Sequence, residues 1–288
     1  MKFWFITLLI GLLGGGLWLE WSRPFVFVLK EPTVDARAAN ATQPALVPVP
    51  APVLIELFTS EGCSSCPPAD KLLTQLAQAA ASQNVELIPM SEHVDYWNYI
   101  GWADPFSSAD FSERQRLYAQ ALGAHGARGD VYTPQMVVDG RLGFVGSNAA
   151  KAQDAIVQAA QTAKAQVRLT LMPDQTDTLR IHITDLPALS APERADVLLA
   201  VTEDGLTSNV TRGENSGHRL PHTAVTRVLR ALGEIPAATK SFDTTTVVKL
   251  DAHWQRQALR LVVFVQERTQ RRILGAASLS LSGRLPQK

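Results

Sequence analysis

The sequence is poor in cysteine and has no excess of either charge. Only two of its 288 residues are cysteine, and 27 lysine and arginine residues balance 27 aspartate and glutamate residues. It contains no block rich in lysine and arginine, which argues against a nucleic-acid partner. It also lacks a P-loop and a G-x-G-x-x-G motif at a strand-to-helix turn, so nucleotide binding has no support. Apolar residues make up 46% of the chain, which is typical of a globular protein.

The N-terminal residues contain a long uncharged stretch. Residues 3–19 follow Lys2 without a charge, a length that suits a short membrane span or a signal sequence. The residues after Leu19 suit signal cleavage poorly, so residues 1–30 are interpreted as an uncleaved anchor in preference to a cleaved signal. Either interpretation exports the rest of the chain to the periplasm or beyond, with the segment contacting the inner membrane or the export machinery. Residues 31–52, rich in alanine and proline, are expected to form a semi-rigid linker.

Hydrophobic periodicity and turn residues predict a first domain over residues 53–165. A buried strand from Val53, a helix beginning with two prolines, a second strand from Val85, a second helix, an Asp-Gly hairpin and a third helix follow one another. The first two strands are joined by a helix and should therefore be parallel. The resulting order, β-α-β-α-β-β-α, is the minimal order of a thioredoxin-like domain.

Residues 166–288 have a different pattern. Short segments rich in β-branched residues alternate with turn residues, which is typical of an all-β, sandwich-like domain. One of these segments, residues 222–233, fits either a helix or a strand, and a strand is favoured. The predicted fold is therefore α/β, with a thioredoxin-like domain followed by a β-sandwich-like domain.

The two cysteines form a C-x-x-C motif between the first strand and the first helix. At a helix N-terminus, the free N–H groups stabilise a thiolate and lower the pKa of a cysteine from about 8.5 toward roughly 3.5–7.5. Cys63 is expected to be the more exposed nucleophile, and Cys66 to resolve the mixed disulfide. The same motif also occurs in metal sites and as an inert bridge. A bridge that closes so small a loop adds little stability, which favours a redox-active pair.

A histidine and several aromatic residues follow the second strand. Because the carboxyl ends of parallel strands cluster at one edge of a sheet, His93 and Asp95 are expected near Cys63, where they could transfer or tune a proton. Trp97, with neighbouring tyrosines and a second tryptophan, could form the wall of a peptide groove. The alternative is an aromatic loop that packs over its own domain.

A polar segment in the second half holds Glu214, His218 and His222. Its spacing of histidines could fit a metal on a helix, but the surrounding glycine and proline residues oppose a helix. A structured loop that contacts the first domain is the favoured interpretation.

Five separated motifs together resemble one known family: ELFTSEGCSSCPPAD, HVDYWNYIGWADPF, ERQRLYA, YTPQMVVDG and TRGENSGHRLPH. The sequence is similar to the secreted bacterial thioredoxin-like family named domain of unknown function 1223. The similarity runs from about Val53 to the C-terminus and implies a thioredoxin-like domain with a β-rich extension. The family has no settled biochemical activity.

Looser similarity to thioredoxins assigns further roles. Thr133 and Pro134 are expected to form a cis peptide bond packed against the cysteines, next to backbone that pairs with a substrate chain. A trans proline at the start of an edge strand is the alternative. Glu56, an acid inside a buried strand, could accept a proton from Cys66 if the strand turns it toward the site. Gly62 and the two serines inside the motif depart from thioredoxin and leave the redox potential open.

Three functional hypotheses follow. The first is an exported thiol–disulfide oxidoreductase that acts on protein or small-molecule disulfides, with the Cys63–Cys66 pair as its redox group and no other cofactor or metal. The second is a copper-handling protein in which the cysteines and His93 are ligands. The third is a binding module of the cell envelope without catalytic turnover.

Overall fold

A computed structural model describes most of the chain beyond its N-terminal part. The described residues are 51–80, 85–124, 129–172, 177–189 and 192–282. The predicted anchor at 1–30 and nearly all of the predicted linker at 31–52 lie outside them. Within these ranges, no helix is both long and apolar enough to cross a membrane.

The first half of the described chain contains the elements in the predicted order. They are β1 (Val53–Thr59), α1 (Pro67–Ala80), β2 (Leu87–His93), α2 (Ala109–Ala124), β3 (Gln135–Val138), β4 (Leu142–Val145) and α3 (Ala149–Ala160). Helix α1 begins at Pro67 because a proline in the first turn leaves no helical hydrogen bond unmade. The side chain of Asn148 accepts a hydrogen bond from the N–H of Lys151, 3.0 Å away, and so caps α3.

The second half is built from strands. They are β5 (Gln166–Leu171), β6 (Thr178–Thr184), β7 (Ala195–Glu203), β8 (Leu206–Asn209), β9 (Arg219–His222), β10 (Val225–Ile235), β11 (Phe242–Val247), β12 (Leu259–Glu267) and β13 (Ile273–Ser280). The ambiguous segment therefore forms strands β9 and β10 and not a helix, as favoured from the sequence.

One mixed sheet of eight strands runs through both halves, so the fold is α/β with a large sheet and few helices. Its strand order is β13-β12-β7-β10-β2-β1-β3-β4. The halves meet where Val225 of β10 pairs in parallel with Ser91 of β2. A second sheet, β11-β6-β5, packs its apolar side chains against those of β7 and β12, and so gives the C-terminal half two layers. The division into domains at residue 165 stays a prediction, and the large sheet contains strands from both sides of it.

Successive side chains of β1 point to opposite faces of the large sheet. Ile55 and Leu57 pack with α1 and α3, whereas Leu54 and Phe58 lie on the opposite face of the sheet. Strands β1 and β2 are parallel and in register to their last residues, so Thr59 lies beside His93. The carboxyl ends of both strands therefore meet beside the start of α1.

Candidate functional site

Cys63 and Cys66 form a disulfide directly before α1. The carbonyl of Cys66 accepts the N–H groups of Ala69 at 2.8 Å and of Asp70 at 3.1 Å, which joins the motif to the first turn of the helix. Cys63 is 1% exposed and Cys66 is fully buried. Cys63 is thus only marginally the more exposed of the two cysteines, because other parts of the chain cover both residues.

The cover includes the hairpin loop between β8 and β9. The side-chain amide of Asn215 donates to the carbonyl of Glu61 at 2.8 Å and to that of Cys63 at 3.0 Å. The N–H of Ser64 donates to the carboxylate of Glu214 at 2.9 Å. The favoured interpretation of this segment, a structured loop against the first half, is confirmed.

Glu61, two residues before Cys63, connects the cover to the rest of the site. Its Oε1 lies 2.8 Å from Nε2 of His222, and its Oε2 accepts the indole N–H of Trp102 at 2.8 Å. Its own N–H donates to the carboxylate of Asp104 at 2.8 Å. Four hydrogen bonds, counting that from Asn215, thus hold one buried residue against two segments, the loop after β2 and the β8–β9 hairpin.

His93 lies under the motif, in a buried cluster of charged groups. Its Nδ1 is 2.7 Å from Asp104, and its ring centre is 4.9 Å from that of His222. Burial alone would lower the pKa of His93, but the carboxylates of Asp104, Asp70 and Glu61 together raise that pKa above its usual value, with Asp104 contributing most of the rise. The same pair lowers the pKa of Asp104 against the opposing effect of burial. Burial raises the pKa of Asp70 in α1, and the two histidines oppose that rise.

The other predicted residues separate into two groups. Nε1 of Trp97 donates to the hydroxyl of Thr133 at 2.8 Å, and the Thr133–Pro134 peptide bond is cis. Asp95 instead accepts a hydrogen bond from the hydroxyl of Ser112 at 2.5 Å, on α2. The structure therefore ties Trp97 to the cis-proline segment and directs Asp95 toward α2.

Glu56 lies away from the cysteines, and its predicted role as proton acceptor is not supported by this placement. Its Oε1 accepts a hydrogen bond from Nε of Arg114 at 2.6 Å, and its other oxygen accepts the hydroxyl of Tyr118. Both partners belong to α2. Strand alternation gives the reason, because Leu57, the next residue, is the one that packs with α1.

Gly62 precedes the first cysteine at a point of close packing. A Cβ atom at this position would stand 3.0 Å from Cβ of Trp97 and 3.2 Å from Cδ1 of Ile100. The departure from thioredoxin at this position therefore has a steric reason, since the aromatic loop occupies the space.

A profile of the family described as "Protein of unknown function (DUF1223)" matches residues 54–266, which is most of the chain. The chain belongs to the DUF1223 family. The sequence is also similar to a protein of Agrobacterium tumefaciens whose structure was solved by X-ray crystallography. The two share 27% identity and a TM-score of 0.62, over 82% of this chain and 97% of that one. None of the curated proteins matches the sequence.

A cleft of about 1130 Å³ opens beside the site in this DUF1223 protein. One wall is the outer face of α1 from Pro67 to Gln78, and the opposite wall is formed by β8, β9 and the residues after them. Asp70 and His222, two members of the buried charged cluster, line this cleft.

Potential metal ligands are present but not grouped. In the part of the chain that the structure describes, no three histidine, cysteine, aspartate or glutamate side chains are arranged to hold a metal ion.

Several residues of the site were not found from the sequence. Glu61 and Asp104 are single acids in loops. Each lies in a motif that carries the family resemblance, but no periodicity or spacing assigns either acid a role in the site. Asn215 and His222 lie in the polar segment that predicts a loop against the first domain, but its composition does not indicate which residues the loop contacts. The available signal was the cluster of Glu, Asn and His between glycines, which marks a structured loop.

Proposed function

We propose that this protein is an exported, thioredoxin-like thiol–disulfide oxidoreductase. The observation that supports it best is the Cys63–Cys66 disulfide at the start of α1, where helical N–H groups favour a thiolate. A second support is that the cis Thr133–Pro134 segment is connected to the cysteine turn. Trp97 makes this connection, since its indole donates to Thr133 and its Cβ packs against Gly62, the residue before Cys63. The order of strands and helices in residues 53–160 is consistent with a thioredoxin-like domain.

The reaction would transfer two electrons between a pair of thiols and a disulfide, with the Cys63–Cys66 pair as one of the two partners. In the reducing direction for the protein, a partner thiolate attacks the sulfur of Cys63, the Cys63–Cys66 bond breaks, and Cys66 leaves as a thiolate that takes a proton. A second partner thiolate then attacks the partner sulfur of the mixed disulfide and releases Cys63. The partner ends as a disulfide and the protein as a dithiol, so atoms and electrons balance. The opposite direction reverses each step.

The covered sulfur atoms impose a condition on this chemistry. Because Cys63 is 1% exposed, the partner thiolate must displace part of the cover before it reaches the sulfur. The hairpin loop that carries Glu214 and Asn215 contacts the motif and the residue two before it by hydrogen bonds, so it forms part of this cover.

The decisive experiment is a turnover assay combined with a reduction potential. The reduced protein should reduce the disulfides of insulin, Cys63→Ser should abolish turnover, and Ser216→Ala, an exposed serine outside the motif, should retain it as a control. A potential of the Cys63–Cys66 pair near −270 mV would indicate a reductant and one near −120 mV an oxidant, whereas a value far below about −300 mV would indicate a structural bridge.

The same assay separates the other two hypotheses. Tight binding of Cu(I) by the reduced protein, without turnover, would favour copper handling. Failure of both tests would favour the binding module.

Export is tested separately. We expect alkaline phosphatase fused after residue 52 to be active, since this enzyme requires an oxidising compartment to form its disulfides. Deletion of residues 1–30 should abolish that activity. Retention of the fusion in the membrane fraction would distinguish the anchor from a cleaved signal.

A further inference from the structure

Two neighbouring residues of the hairpin loop hold the disulfide region in different ways. Asn215 is buried, and its amide binds the carbonyls of Glu61 and Cys63. Glu214 is exposed to solvent, and its carboxylate binds the N–H of Ser64. Asn215 is therefore part of the buried packing under the loop. Glu214 lies at the surface, where another hydrogen-bond acceptor could replace its carboxylate on the N–H of Ser64.

The position of the Glu214 carboxylate is significant because Ser64 is adjacent to Cys63. The hydrogen bonds that it accepts from Ser64 lower the pKa of Glu214, so a charged carboxylate is favoured at this point. Below the loop, packing resists a larger opening, because Gly213 lies against Ile100 and Trp102 and the buried His222 binds Glu61. A partner that displaces only Glu214 leaves the hydrogen bonds of Asn215 and His222 in place.

We propose that Glu214 occupies the position of a carboxylate carried by the thiol partner, and that the partner is a low-molecular-weight thiol bearing a carboxylate. This inference rests on the proposed dithiol chemistry of Cys63 and Cys66. The partner carboxylate replaces Glu214 on the N–H of Ser64, and the partner thiolate attacks the sulfur of Cys63. The bond to Cys66 breaks, and Cys66 leaves as a thiolate that is protonated by solvent. A second thiol molecule completes the reduction and releases the partner as its symmetrical disulfide.

The test compares simple thiols as reductants of the oxidised protein in single-turnover experiments. 3-Mercaptopropionate carries the carboxylate, and 2-mercaptoethanol lacks it. Rates are expressed per thiolate, and their ratio, 3-mercaptopropionate over 2-mercaptoethanol, is the readout. In Glu214→Ala we expect this ratio to rise about fivefold over the wild type, since the N–H of Ser64 becomes free for the partner carboxylate. Ser216→Ala, an exposed and charge-neutral change in the same loop, is the matched control and should leave the ratio unchanged.

Glu214→Gln separates occupancy from simple repulsion. This variant removes the negative charge but keeps an oxygen that accepts the N–H of Ser64, so we expect its ratio to stay within about twofold of the wild type. An equal rise of the ratio in Glu214→Ala and Glu214→Gln would overturn the proposal, because charge repulsion alone would explain it. A ratio unchanged in Glu214→Ala would overturn it as well.

The outcome is distinguishable from failure of the proposed function. The rates measure stoichiometric reduction of the disulfide, so the ratio can respond to Glu214 even in a protein without catalytic turnover. Conversely, a protein that turns over insulin but shows no change of ratio would retain the proposed function and lose this inference. The circular dichroism spectrum of each variant should match that of the wild type, which shows that the rates are compared on folded protein.

Discussion

The imidazole Nε2 of His222 lies 2.8 Å from Oε1 of Glu61, a residue 161 positions earlier in the chain. Both side chains are buried. This contact joins the end of β9 to the turn that carries the cysteines, so the C-terminal half forms part of the site itself. A ligand or thiol that reaches Cys63 therefore meets a surface made by both halves.

The contact between Glu61 and His222 should appear as a large coupling in stability. We expect Glu61→Ala and His222→Ala each to reduce the free energy of unfolding by about 2–4 kcal/mol, because each leaves a buried polar partner behind. The double variant should lose about 1.5–3 kcal/mol less than the sum of the single losses, as measured by urea unfolding. His253 and Asp251 serve as control, since they lie a similar 2.7 Å apart but are 94% and 52% exposed. Additive losses at Glu61 and His222 would contradict the prediction.

His93 should make stability depend on pH. Burial lowers its folded pKa, but nearby acids, Asp104 foremost, together raise that pKa above the usual 6.5. A raised pKa stabilises the fold fully below the unfolded pKa, and this contribution is lost as the pH rises through the folded value. The stability difference between wild type and His93→Gln should therefore be largest below pH 6.5 and shrink at higher pH.

The matching measurement is a series of urea titrations from about pH 5.5 to pH 9. Repeating the comparison in an Asp104→Asn background should weaken the pH dependence, since the acid that raises the pKa of His93 is removed. Nearby carboxylates of Asp70 and Glu61 contribute a smaller part of the effect. A difference that grows with rising pH would have the wrong sign.

Arg114 should be essential for stability through the acids that it neutralises. It lies 2.5 Å from Glu56 and 3.5 Å from Glu92, and all three side chains are buried. We expect Arg114→Met to lower the free energy of unfolding by about 3–5 kcal/mol, since buried charge is left without a partner. Arg116→Met, an exposed arginine on the same helix, should change stability by less than about 0.5 kcal/mol. Similar losses in the two variants would argue against the buried pair.

Glu56 itself should have no influence on the disulfide. Because its side chain contacts Arg114 on the face opposite α1, we expect Glu56→Gln to shift the reduction potential of the Cys63–Cys66 pair by less than about 15 mV, where 30 mV corresponds to about 1.4 kcal/mol. The potential is measured in thiol redox buffers. A shift well beyond that limit would restore Glu56 as a proton acceptor for Cys66.

Gly62 should tolerate no side chain. A Cβ atom there would lie 3.0 Å from that of Trp97, so Gly62→Val should displace the aromatic loop and reduce stability by about 1–3 kcal/mol. Ser64→Val, two residues away and exposed, is the control, with an expected change below about 0.5 kcal/mol. Thermal unfolding measures the stability of both variants. An unchanged stability of Gly62→Val would contradict the prediction, because it would show that the aromatic loop can move without cost.

Local signals account for the parts of the fold that the sequence predicts. The start of α1 follows from Pro67, and the turn between β3 and β4 follows from Asp139 and Gly140, which both have the positive φ that an Asp-Gly hairpin requires. Strands β1 and β2 are parallel because a helix connects them. Each of these signals lies within a few residues of the feature that it predicts.

The remaining features depend on residues far apart in the chain. Nothing near Ser91 indicates that Val225 pairs with it and extends the sheet. The direction of Glu56 depends on the register of one strand, and a single step of register turns its side chain to the other face. The burial of Cys63 depends on Asn215, which binds its carbonyl from 152 positions away. Sequence periodicity carries no information on such pairs.

The parallel pairing of Val225 with Ser91 has a consequence for the newly made chain. As the polypeptide emerges N-terminus first, the cysteines and their helix appear long before β9, β10 and β12, which supply His222, the strand partner of β2 and Gln266 beside Arg114. Until those strands are synthesised, the two thiols are not covered by the β8–β9 hairpin. Arg114, which binds the acid Glu56 of β1, also lacks its contact with Gln266. Maturation of the site is thus a late event, timed by completion of the chain.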